Sequence, residues 1–356
     1  MSVTRFLCET TLGETRWAAL DAGDRPLALY LERPTKSVVL GARLEARIGK
    51  ADPGAGGTFI DIPGQPGAFL RTNPGQSGTN QDISVPSEGS LVSVDVVAEA
   101  RAGKLARVKL APAGSHPAPS GANAWRAALR AEPTTPIEDV PPGDSLIAAA
   151  FEDALSPDVT LPGGGRLHIA RTRALTAADI DSAGRAMKGS AAARALSLNR
   201  EAAEALARQI LIRGLGGLFV LDCVSPLTKE TSTKLREAFL AAWTAMTARP
   251  ARVLTPSALG LMELSTEWRI TPLSELLLDE GGMPTAQTLA LAGLRLLEAE
   301  ARQTRMGRLK LSLPEAAFAW LTASEMDAET QLAAKYGARL TIGVHSRAAP
   351  EVSPEG

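Results

Sequence analysis

Cysteine and histidine are scarce in this chain of 356 residues. The only two cysteines, Cys8 and Cys223, lie far apart, so they form neither a disulfide framework nor the paired spacing of a zinc site. This usage fits a protein of the reducing cytosol. We expect Cys223 to be a small buried apolar residue rather than a nucleophile. The three histidines, His116, His168 and His345, are scattered, which indicates structural residues rather than metal ligands.

The chain also lacks an excess of positive charge and any long apolar run. Its formal net charge is −1, so no overall basic field attracts nucleic acid. A nucleic-acid-binding protein of this composition would need local basic patches and would bind with marked salt dependence. The N-terminus has no basic start followed by a long apolar stretch, and no run approaches membrane-spanning length. We therefore expect a soluble cytoplasmic protein without a membrane partner.

Three aspartates at the ends of predicted strands are the most informative residues present. Asp179 and Asp181 lie two apart in the predicted strand Leu175–Asp181 and so share one face. Asp222 closes the apolar run Leu218–Asp222, a predicted buried strand. Ligands bind at the carboxyl ends of strands in open α/β sheets, and converging carboxylates suit Mg²⁺. Spacing alone is equally compatible with helix caps or solvated turn residues.

The N-terminal third has the alternation and turn residues of β-structure. Residues 3–32 predict one or two hairpins that turn at Asp21–Asp24. Residues 36–110 predict a small β-barrel, in which residues 73–87 form a flexible loop. Its strands would be Val38–Ile48, Gly57–Ile62, Ala68–Thr72, Leu91–Ala98 and Leu105–Leu110.

Alternation within two of these strands places an aromatic ring beside a charge. Phe59 and Asp61 share the face opposite the isoleucines, and Phe69 and Arg71 share the face opposite Leu70. Exposed aromatic rings with nearby basic residues are typical of single-strand binding. Basic residues cluster at the end of this region, at Arg101, Lys104, Arg107 and Lys109. The alternatives are that both rings belong to the core and that the basic cluster is a solvated edge strand.

The remainder of the chain predicts a linker followed by α/β structure. Residues 111–144 are rich in Ala, Pro, Gly and Ser. The predicted helices are Asn123–Ala131, Asp144–Leu155, Leu198–Arg213, one from Pro226 to about Thr247, Thr285–Arg302 and two short ones thereafter. The predicted strands are Arg166–Thr172, Leu175–Asp181, Leu218–Asp222, Arg252–Thr255, Gly307–Leu311 and Ala338–Val344.

Several ordered motifs resemble the catalytic core of the ribonuclease E/G family. Leu161–Gly165 resembles the family's L-P-x-G-G, and Arg173–Ala183 (R-A-L-T-A-A-D-I-D-S-A) resembles its E-A-L-T-x-x-D-I-N-S. The resemblance continues through Leu198–Ala203 and Ala207–Gln209, then from Leu211 to Asp222, and Leu259–Ser265 resembles the family's F-G-L-L-E-M-S. It covers roughly residues 157–272 well, and the barrel region more loosely resembles the family's S1-type OB-fold.

The resemblance implies a multidomain α+β fold. An S1-type OB-fold barrel would be followed by an α/β DNase-I-like catalytic domain and a small α/β C-terminal domain. In chain order the expected parts are hairpin strands (1–35), the RNA-binding barrel (36–112), a linker with a reduced RNase-H-like region (113–150), the catalytic domain (151–283) and the C-terminal domain (284–356).

It also implies Mg²⁺-dependent endonucleolytic cleavage of single-stranded RNA with 5′-phosphate products. Asp179 and Asp222 would hold the metal. Asp181 stands where the family has asparagine, so it could be a third ligand, act as a base toward water, or repel the phosphate. The RNA would contact Phe59, Phe69, Arg71, Lys104, Arg107 and Lys109. Asn199, Arg213 and Arg252 match positions near the active centre, although Asn199 and Arg213 could equally be a helix N-cap and a solvated helix end.

Two departures from the family bear on regulation and assembly. The segment between the barrel and Leu161 is too short for the family's 5′-monophosphate sensor, so we expect cleavage independent of the RNA 5′ end. No cysteine occupies Leu276–Met283, where the family has its zinc motif, so we expect a monomer or a different dimer. The alternatives are a weak or inactive RNA-binding relative and a Mg²⁺-dependent phosphoesterase acting on something other than RNA.

Overall fold

The computed structural model describes residues 2–34, 36–72, 85–182, 185, 189–304 and 306–355. Most of the loop predicted over residues 73–87 lies outside these ranges. Contacts group the chain into two compact units, one formed by residues 1–3, 35–133 and 156–272, the other by residues 4–34, 134–155 and 273–356. The sequence predicts five consecutive segments, whereas residues 134–155 pack with both the N-terminal strands and the C-terminal part.

The described residues form a mixture of strands and helices in chain order. The strands are β1 Arg5–Thr11, β2 Glu14–Leu20, β3 Pro26–Glu32, β4 Arg43–Asp52, β5 Gly57–Asp61, β6 Ala68–Arg71, β7 Leu91–Ala98, β8 Ala106–Leu110, β9 Ile137–Val140, β10 Asp158–Thr160, β11 Arg166–Arg171, β12 Thr176–Asp181, β13 Gly217–Asp222, β14 Ala251–Val253, β15 Leu261–Thr266, β16 Leu309–Pro314, β17 Leu340–His345 and β18 Glu351–Pro354. The helices are α1 Ala122–Ala127, α2 Ser145–Leu155, α3 Ala191–Ile212, α4 Lys229–Met246, α5 Leu273–Leu277, α6 Ala286–Gln303, α7 Glu315–Ala323 and α8 Ala328–Tyr336.

The predicted barrel is present and closed, in the strand order β4-β5-β6-β8-β7. Its interior is aliphatic, with Ile60 and Leu70 among the fully buried residues. The first strand begins at Arg43 rather than at Val38, because a turn intervenes in which the N–H of Ala42 bonds to the carbonyl of Val39. Gly41 occupies this turn with a positive φ of 78°. The alternation in the sequence therefore predicts which residues face the barrel interior better than it predicts where each strand begins and ends.

A six-stranded sheet in the order β10-β11-β12-β13-β15-β14 forms the rest of this unit. Strands β12 and β13 are parallel neighbours, and α3 makes the crossover between them. Helices α3 and α4 pack on one face of the sheet, where Phe219, Leu221, Phe239 and Trp243 are almost completely buried. The opposite face of the sheet is open to solvent: Asp179 and Asp222 are exposed there, while their neighbours along the chain are buried. The functional candidates lie on this solvent face.

Two helix starts differ from the sequence prediction. Helix α3 begins at Ala191 rather than near Asn199, because the Ser190 side chain accepts a hydrogen bond from the N–H of Ala193 and caps an alanine-rich first turn. Helix α4 begins at Lys229, three residues after Pro226, where Thr228 and Thr231 form a reciprocal capping box. Weak apolar periodicity in both first turns hides these starts from pattern analysis.

The other unit contains a four-stranded sheet, β3-β2-β1-β9, and a three-stranded sheet, β17-β16-β18, covered by α6. The predicted turn at Asp21–Asp24 is confirmed: the Asp21 carboxylate accepts hydrogen bonds from the N–H groups of Gly23 and Arg25. Strands β9 and β18 were not predicted from the sequence. Among the described residues, no helix is both long and apolar enough to cross a membrane.

Candidate active site and nucleic-acid surface

The pairing of β12 with β13 places two aspartates side by side. The parallel register runs through Ala177 opposite Val220 and Ala178 opposite Leu221, and the next residues along both strands are Asp179 and Asp222. Neighbouring strands lie about 4.8 Å apart, so the two carboxylates project from adjacent positions. Both side chains are exposed, on the face of the sheet opposite to α3 and α4. The structure thus brings together the two aspartates on which the sequence prediction depends.

Asp181 lies on the same face but one pleat further along β12. Its partner on β11 is Arg166, which is also exposed. Strand β13 ends at Asp222, so Asp181 lies beyond the paired stretch of β12 and β13. Among the described residues, no group of three or more His, Cys, Asp or Glu side chains is arranged to hold a metal ion.

The donor set suits a hard divalent cation that keeps most of its own water. Two carboxylates on adjacent strands provide oxygen ligands, and Mg²⁺ commonly binds through one or two carboxylates while waters and substrate phosphates complete its shell. The lack of a larger cluster in the described residues is compatible with this mode. Asp179 and Asp222 are the residues that could hold such an ion.

Asn199 supports the site through the backbone that follows Asp222. It is fully buried in the middle of α3, so it is not the helix N-cap that the sequence allows. Its amide nitrogen donates to the carbonyl of Val224 at 2.9 Å, and its side-chain oxygen accepts from the N–H of Val224 at 2.8 Å. This two-point contact fixes the chain two residues beyond Asp222.

Arg213 and Arg252 occupy different environments. Arg213 is the C-cap of α3 and is buried rather than being a solvated helix end. It donates to the carbonyl of Ser156 at 2.6 Å and to the Gln209 side chain at 2.8 Å. Burial lowers the pKa of Arg213 to about 10. Arg252 is exposed on β14, opposite Ser265. A role for either residue near the reacting groups stays a prediction.

The glycine-rich segment after Leu161 approaches the end of β12 closely. A Cβ atom at Gly165, where φ is +85°, would lie 2.7 Å from the carbonyl oxygen of Asp181. Glu201 on α3 accepts a hydrogen bond from the N–H of Gly163 at 2.8 Å and forms a two-point ion pair with Arg185. The bond from Arg185 is the main cause that lowers the pKa of Glu201. This contact connects Gly163, before β11, to Arg185, after β12, through Glu201.

Sequence analysis missed a histidine–aspartate pair beside the two carboxylates. The Nδ1 atom of His168 lies 2.9 Å from a carboxylate oxygen of Asp158, and His168 is the partner of Asp179 across β11 and β12. No sequence signal identifies this pair, because Asp158 belongs to the three-residue strand β10, which is too short to be predicted. Cys223, in contrast, is buried as expected, and burial raises the pKa of its thiol to about 12.

The two barrel phenylalanines are neighbours on its outer surface. Phe59 on β5 pairs with Phe69 on β6, and their ring centroids lie 5.5 Å apart in an edge-to-face arrangement. Phe59 is 39% exposed, so the alternative that both rings are core residues is wrong. Arg107 on β8 is the partner of Phe69 on its other side.

A cavity of about 540 Å³ lies between this aromatic pair and Trp268, which follows β15. Arg71, Arg101, Lys104 and Arg107 also line it. The Arg107 side chain donates to the carbonyl of Trp268 at 3.1 Å, and the Arg101 guanidinium lies 4.4 Å from the Trp268 ring centroid. Burial, then the like charge of Arg71, lowers the pKa of Arg107. The Glu267 carboxylate, which also lines the cavity, opposes this shift.

Trp268 is a second residue that the sequence analysis missed. Its loop packs on the two glycines at the start of β13: a Cβ at Gly217 would lie 2.8 Å from the Trp268 ring nitrogen, and a Cβ at Gly216 would lie 2.8 Å from its backbone. Lys109 is exposed on β8 and does not line the cavity. The surface therefore combines rings and cations from the barrel with one ring from the sheet.

Part of the chain is similar to known ribonucleases. Residues 144–269 match the ribonuclease E/G family. Ribonuclease E of Haemophilus influenzae is 33% identical over 184 residues, which cover 47% of this chain and 19% of that protein. Ribonuclease E of Nostoc is 36% identical over 33% of this chain and 17% of the relative. Ribonuclease E of Escherichia coli is 34% identical over 44% of this chain and 15% of the relative. The chain thus spans less than a fifth of the length of these relatives.

The matched residues contain the six-stranded sheet with Asp179, Asp222 and the buried Asn199. The family resemblance and the arrangement of the candidate site therefore concern the same part of the chain. Residues 144–269 therefore carry a domain similar to that of the ribonuclease E/G family.

Proposed function

We propose that this chain is a Mg²⁺-dependent endoribonuclease that cuts single-stranded RNA internally, without regard to the RNA 5′ end. The observation that carries the proposal is the parallel register of β12 and β13, which sets Asp179 beside Asp222 on the open face of the sheet. Relatives that match 47% and 44% of this chain are named ribonuclease E. Two adjacent exposed carboxylates on an otherwise helix-backed sheet suit metal-assisted chemistry at a phosphate.

Asp179 and Asp222 would hold the ion, which when bound would neutralise charge on the scissile phosphate and acidify a water. The other residues position these two. Asn199 fixes the chain after Asp222 through Val224, and the Glu201–Arg185 pair fixes the loops around the end of β12. Because the carboxylates are exposed, a nucleic-acid backbone can reach them without any opening of the fold.

The aromatic and basic surface supports RNA as the substrate. Phe59, Phe69 and Trp268 offer faces for stacking bases, while Arg71 and Lys104 offer charge to phosphates. The cavity adjoins Thr266, which pairs with Gly217 at the far end of β13 from Asp222. Five residues of strand span roughly 17 Å, so a single strand a few nucleotides long would bridge the surface and the carboxylates.

The content of the interval between the barrel and the sheet supports independence from the 5′ end. In the described chain that interval contains only α1, β9 and α2 as regular elements. We infer that it holds no separate pocket for a terminal phosphate. We also propose that the protein acts without a zinc-linked dimer, because Leu276–Met283 contains no cysteine.

The test is to incubate the protein with a labelled, AU-rich single-stranded RNA in Mg²⁺ and in EDTA. We expect internal cuts with 5′-phosphate products in Mg²⁺ and none in EDTA. RNA with a 5′-hydroxyl should be cut as fast as RNA with a 5′-monophosphate. Retarded but uncut RNA would support the alternative, a binding protein, and Asp181→Asn would then be the variant to test for restored cleavage.

A further inference from the structure

The Asp158–His168 pair lies on the solvent face of the sheet, outside the groups assigned above. Asp158 on β10 is the register partner of His168 on β11, and the two side chains approach to 2.9 Å. Each side chain is 49% exposed, so the pair contributes little to the core. Isolated ion pairs of this exposure add little to stability. Stability alone therefore gives little reason for the pair.

The pair lies in one cross-strand row with Asp179 and Asp222, the two aspartates of the candidate site. His168 is paired with Asp158 on one side and with Asp179 on the other. Asp179 is followed, in the next strand, by Asp222. Directly opposite residues on one face have Cβ atoms about 4.5–5.5 Å apart. The imidazole thus stands between its own carboxylate and the carboxylate pair proposed to hold the metal.

Asp158 also determines which way the ring faces. A carboxylate only accepts hydrogen bonds, so the Nδ1–H of His168 donates to it, and in a neutral imidazole this leaves Nε2 as an acceptor. The two ring nitrogens point in divergent directions. Strand β12, which carries Asp179 opposite His168, lies on the other side of β11 from β10. Phosphodiester oxygens are acceptors, so an acceptor Nε2 would bond in the reacting complex to a group that carries a hydrogen, such as a hydroxyl.

We propose that His168, oriented by Asp158, accepts a hydrogen bond from a hydroxyl group of the reacting complex. Two hydroxyl groups are available beside a scissile RNA phosphate: that of the attacking water and the 2′-hydroxyl of the adjacent ribose. Both offer the same chemistry to Nε2. This inference rests on the proposed function and adds His168 as a residue that contacts the reacting groups, with Asp158 as its positioning residue.

Three variants measured by steady-state cleavage test the assignment: His168→Ala, Asp158→Ala and the double variant. We expect His168→Ala to lower kcat by about 10- to 100-fold while KM stays within about threefold, since the contact is made to a reacting group. Asp158→Ala should lower kcat less. It should have no further effect in the His168→Ala background, because it acts through the ring. His116→Ala, an exposed histidine elsewhere, is the matched control.

A substrate with one 2′-deoxyribose 5′ to the scissile phosphate distinguishes the two hydroxyl groups. If the ribose donates, the deoxy substitution should reproduce the loss in the wild-type protein and add nothing to His168→Ala. If the water donates, the loss caused by the deoxy substitution and the loss caused by His168→Ala should multiply.

Active wild-type protein with an unchanged kcat in His168→Ala on both substrates would overturn this inference alone. If the losses of kcat in His168→Ala and Asp158→Ala multiplied in the double variant, the role of Asp158 would be overturned. A wild-type protein that binds but never cuts RNA would overturn the proposed function, and this inference with it. Equal melting temperatures of wild type and variants would exclude misfolding as the cause of any loss.

Discussion

At the scale of single residues, some residues of the candidate site can be predicted from the sequence and others cannot. Asp179 and Asp222 were predictable because Asp179 shares a strand face with Asp181 and Asp222 closes an apolar run. The partners of Asn199 were not, because a buried asparagine inside a helix resembles any polar helical residue until its contact with Val224 is seen. The same holds for His168, whose partner lies on an unpredicted strand.

Asn199→Ala should destabilise the protein and slow cleavage. The substitution removes two hydrogen bonds at a fully buried position and leaves the Val224 N–H and carbonyl without those partners. We expect a loss of about 2–4 kcal/mol in the free energy of unfolding. Urea unfolding measures it, with the exposed Asn123→Ala as the control. Equal unfolding midpoints for the wild type and Asn199→Ala would refute the supporting role.

Glu201→Gln should cost stability in a pH-dependent way. The bonds from Arg185 and Gly163 lower the pKa of Glu201 from its ordinary value of 4.5. A depressed carboxyl pKa contributes stability above the unfolded value, and the contribution is lost as pH falls through the folded value. We expect the variant to be less stable by about 1–3 kcal/mol at pH 7, with the gap shrinking below about pH 4.5.

Urea unfolding of wild type and Glu201→Gln at pH 7, 5 and 3.5 measures this gap. Glu230→Gln is the matched control, because Glu230 also pairs with a basic residue but is fully exposed. It should cause no measurable change at any of these pH values. A gap for Glu201→Gln that is constant with pH would contradict the assigned role.

At the scale of elements, patterns predicted which face of a strand is buried better than where the strand ends. Alternation placed Phe59 and Phe69 outside the barrel and Ile60 and Leu70 inside, as observed. Element bounds moved where local hydrogen bonds decide them, as with the Ser190 cap of α3. Pairing partners such as β12 with β13 come from the tertiary fold, and single-sequence patterns do not encode them.

Phe59→Ala and Phe69→Ala should each weaken binding of single-stranded RNA. Loss of one stacked base costs about 1–3 kcal/mol, whereas removal of an outer ring should leave folding nearly unchanged. Fluorescence anisotropy with labelled oligoribonucleotide in EDTA measures binding without cleavage. Leu91→Ala, at a 72% exposed barrel position, is the control. Wild-type affinity in both phenylalanine variants would exclude the barrel as the binding surface.

At the scale of the whole molecule, the composition argues against nucleic-acid binding, whereas the arrangement of basic residues in the fold favours it. The formal net charge of −1 argues against general attraction of nucleic acid. The fold nevertheless gathers Arg71, Arg101, Lys104 and Arg107 around one cavity. The division into two units was also hidden from the sequence, because residues 134–155 join segments that are distant along the chain.

RNA binding should therefore depend on salt through a few local contacts. For a single strand, each neutralised phosphate adds about 0.7 to the slope of log affinity against log salt. Lys104→Gln should lower the slope by about that amount, whereas Lys234→Gln, on the exposed side of α4, should leave it unchanged. Anisotropy titrations at several salt concentrations give the slopes. An identical slope for Lys104→Gln would place the RNA elsewhere.

The central claim is that Asp179 and Asp222 act together as the metal-binding pair of a ribonuclease. The most direct measurement is the rate of Mg²⁺-dependent RNA cleavage by Asp179→Asn, Asp222→Asn and the control Glu230→Gln at equal protein concentration. We predict a loss of more than about 100-fold in each aspartate variant, with folding and RNA binding retained, and wild-type cleavage in the control. Cleavage at the wild-type rate by either aspartate variant would contradict the account.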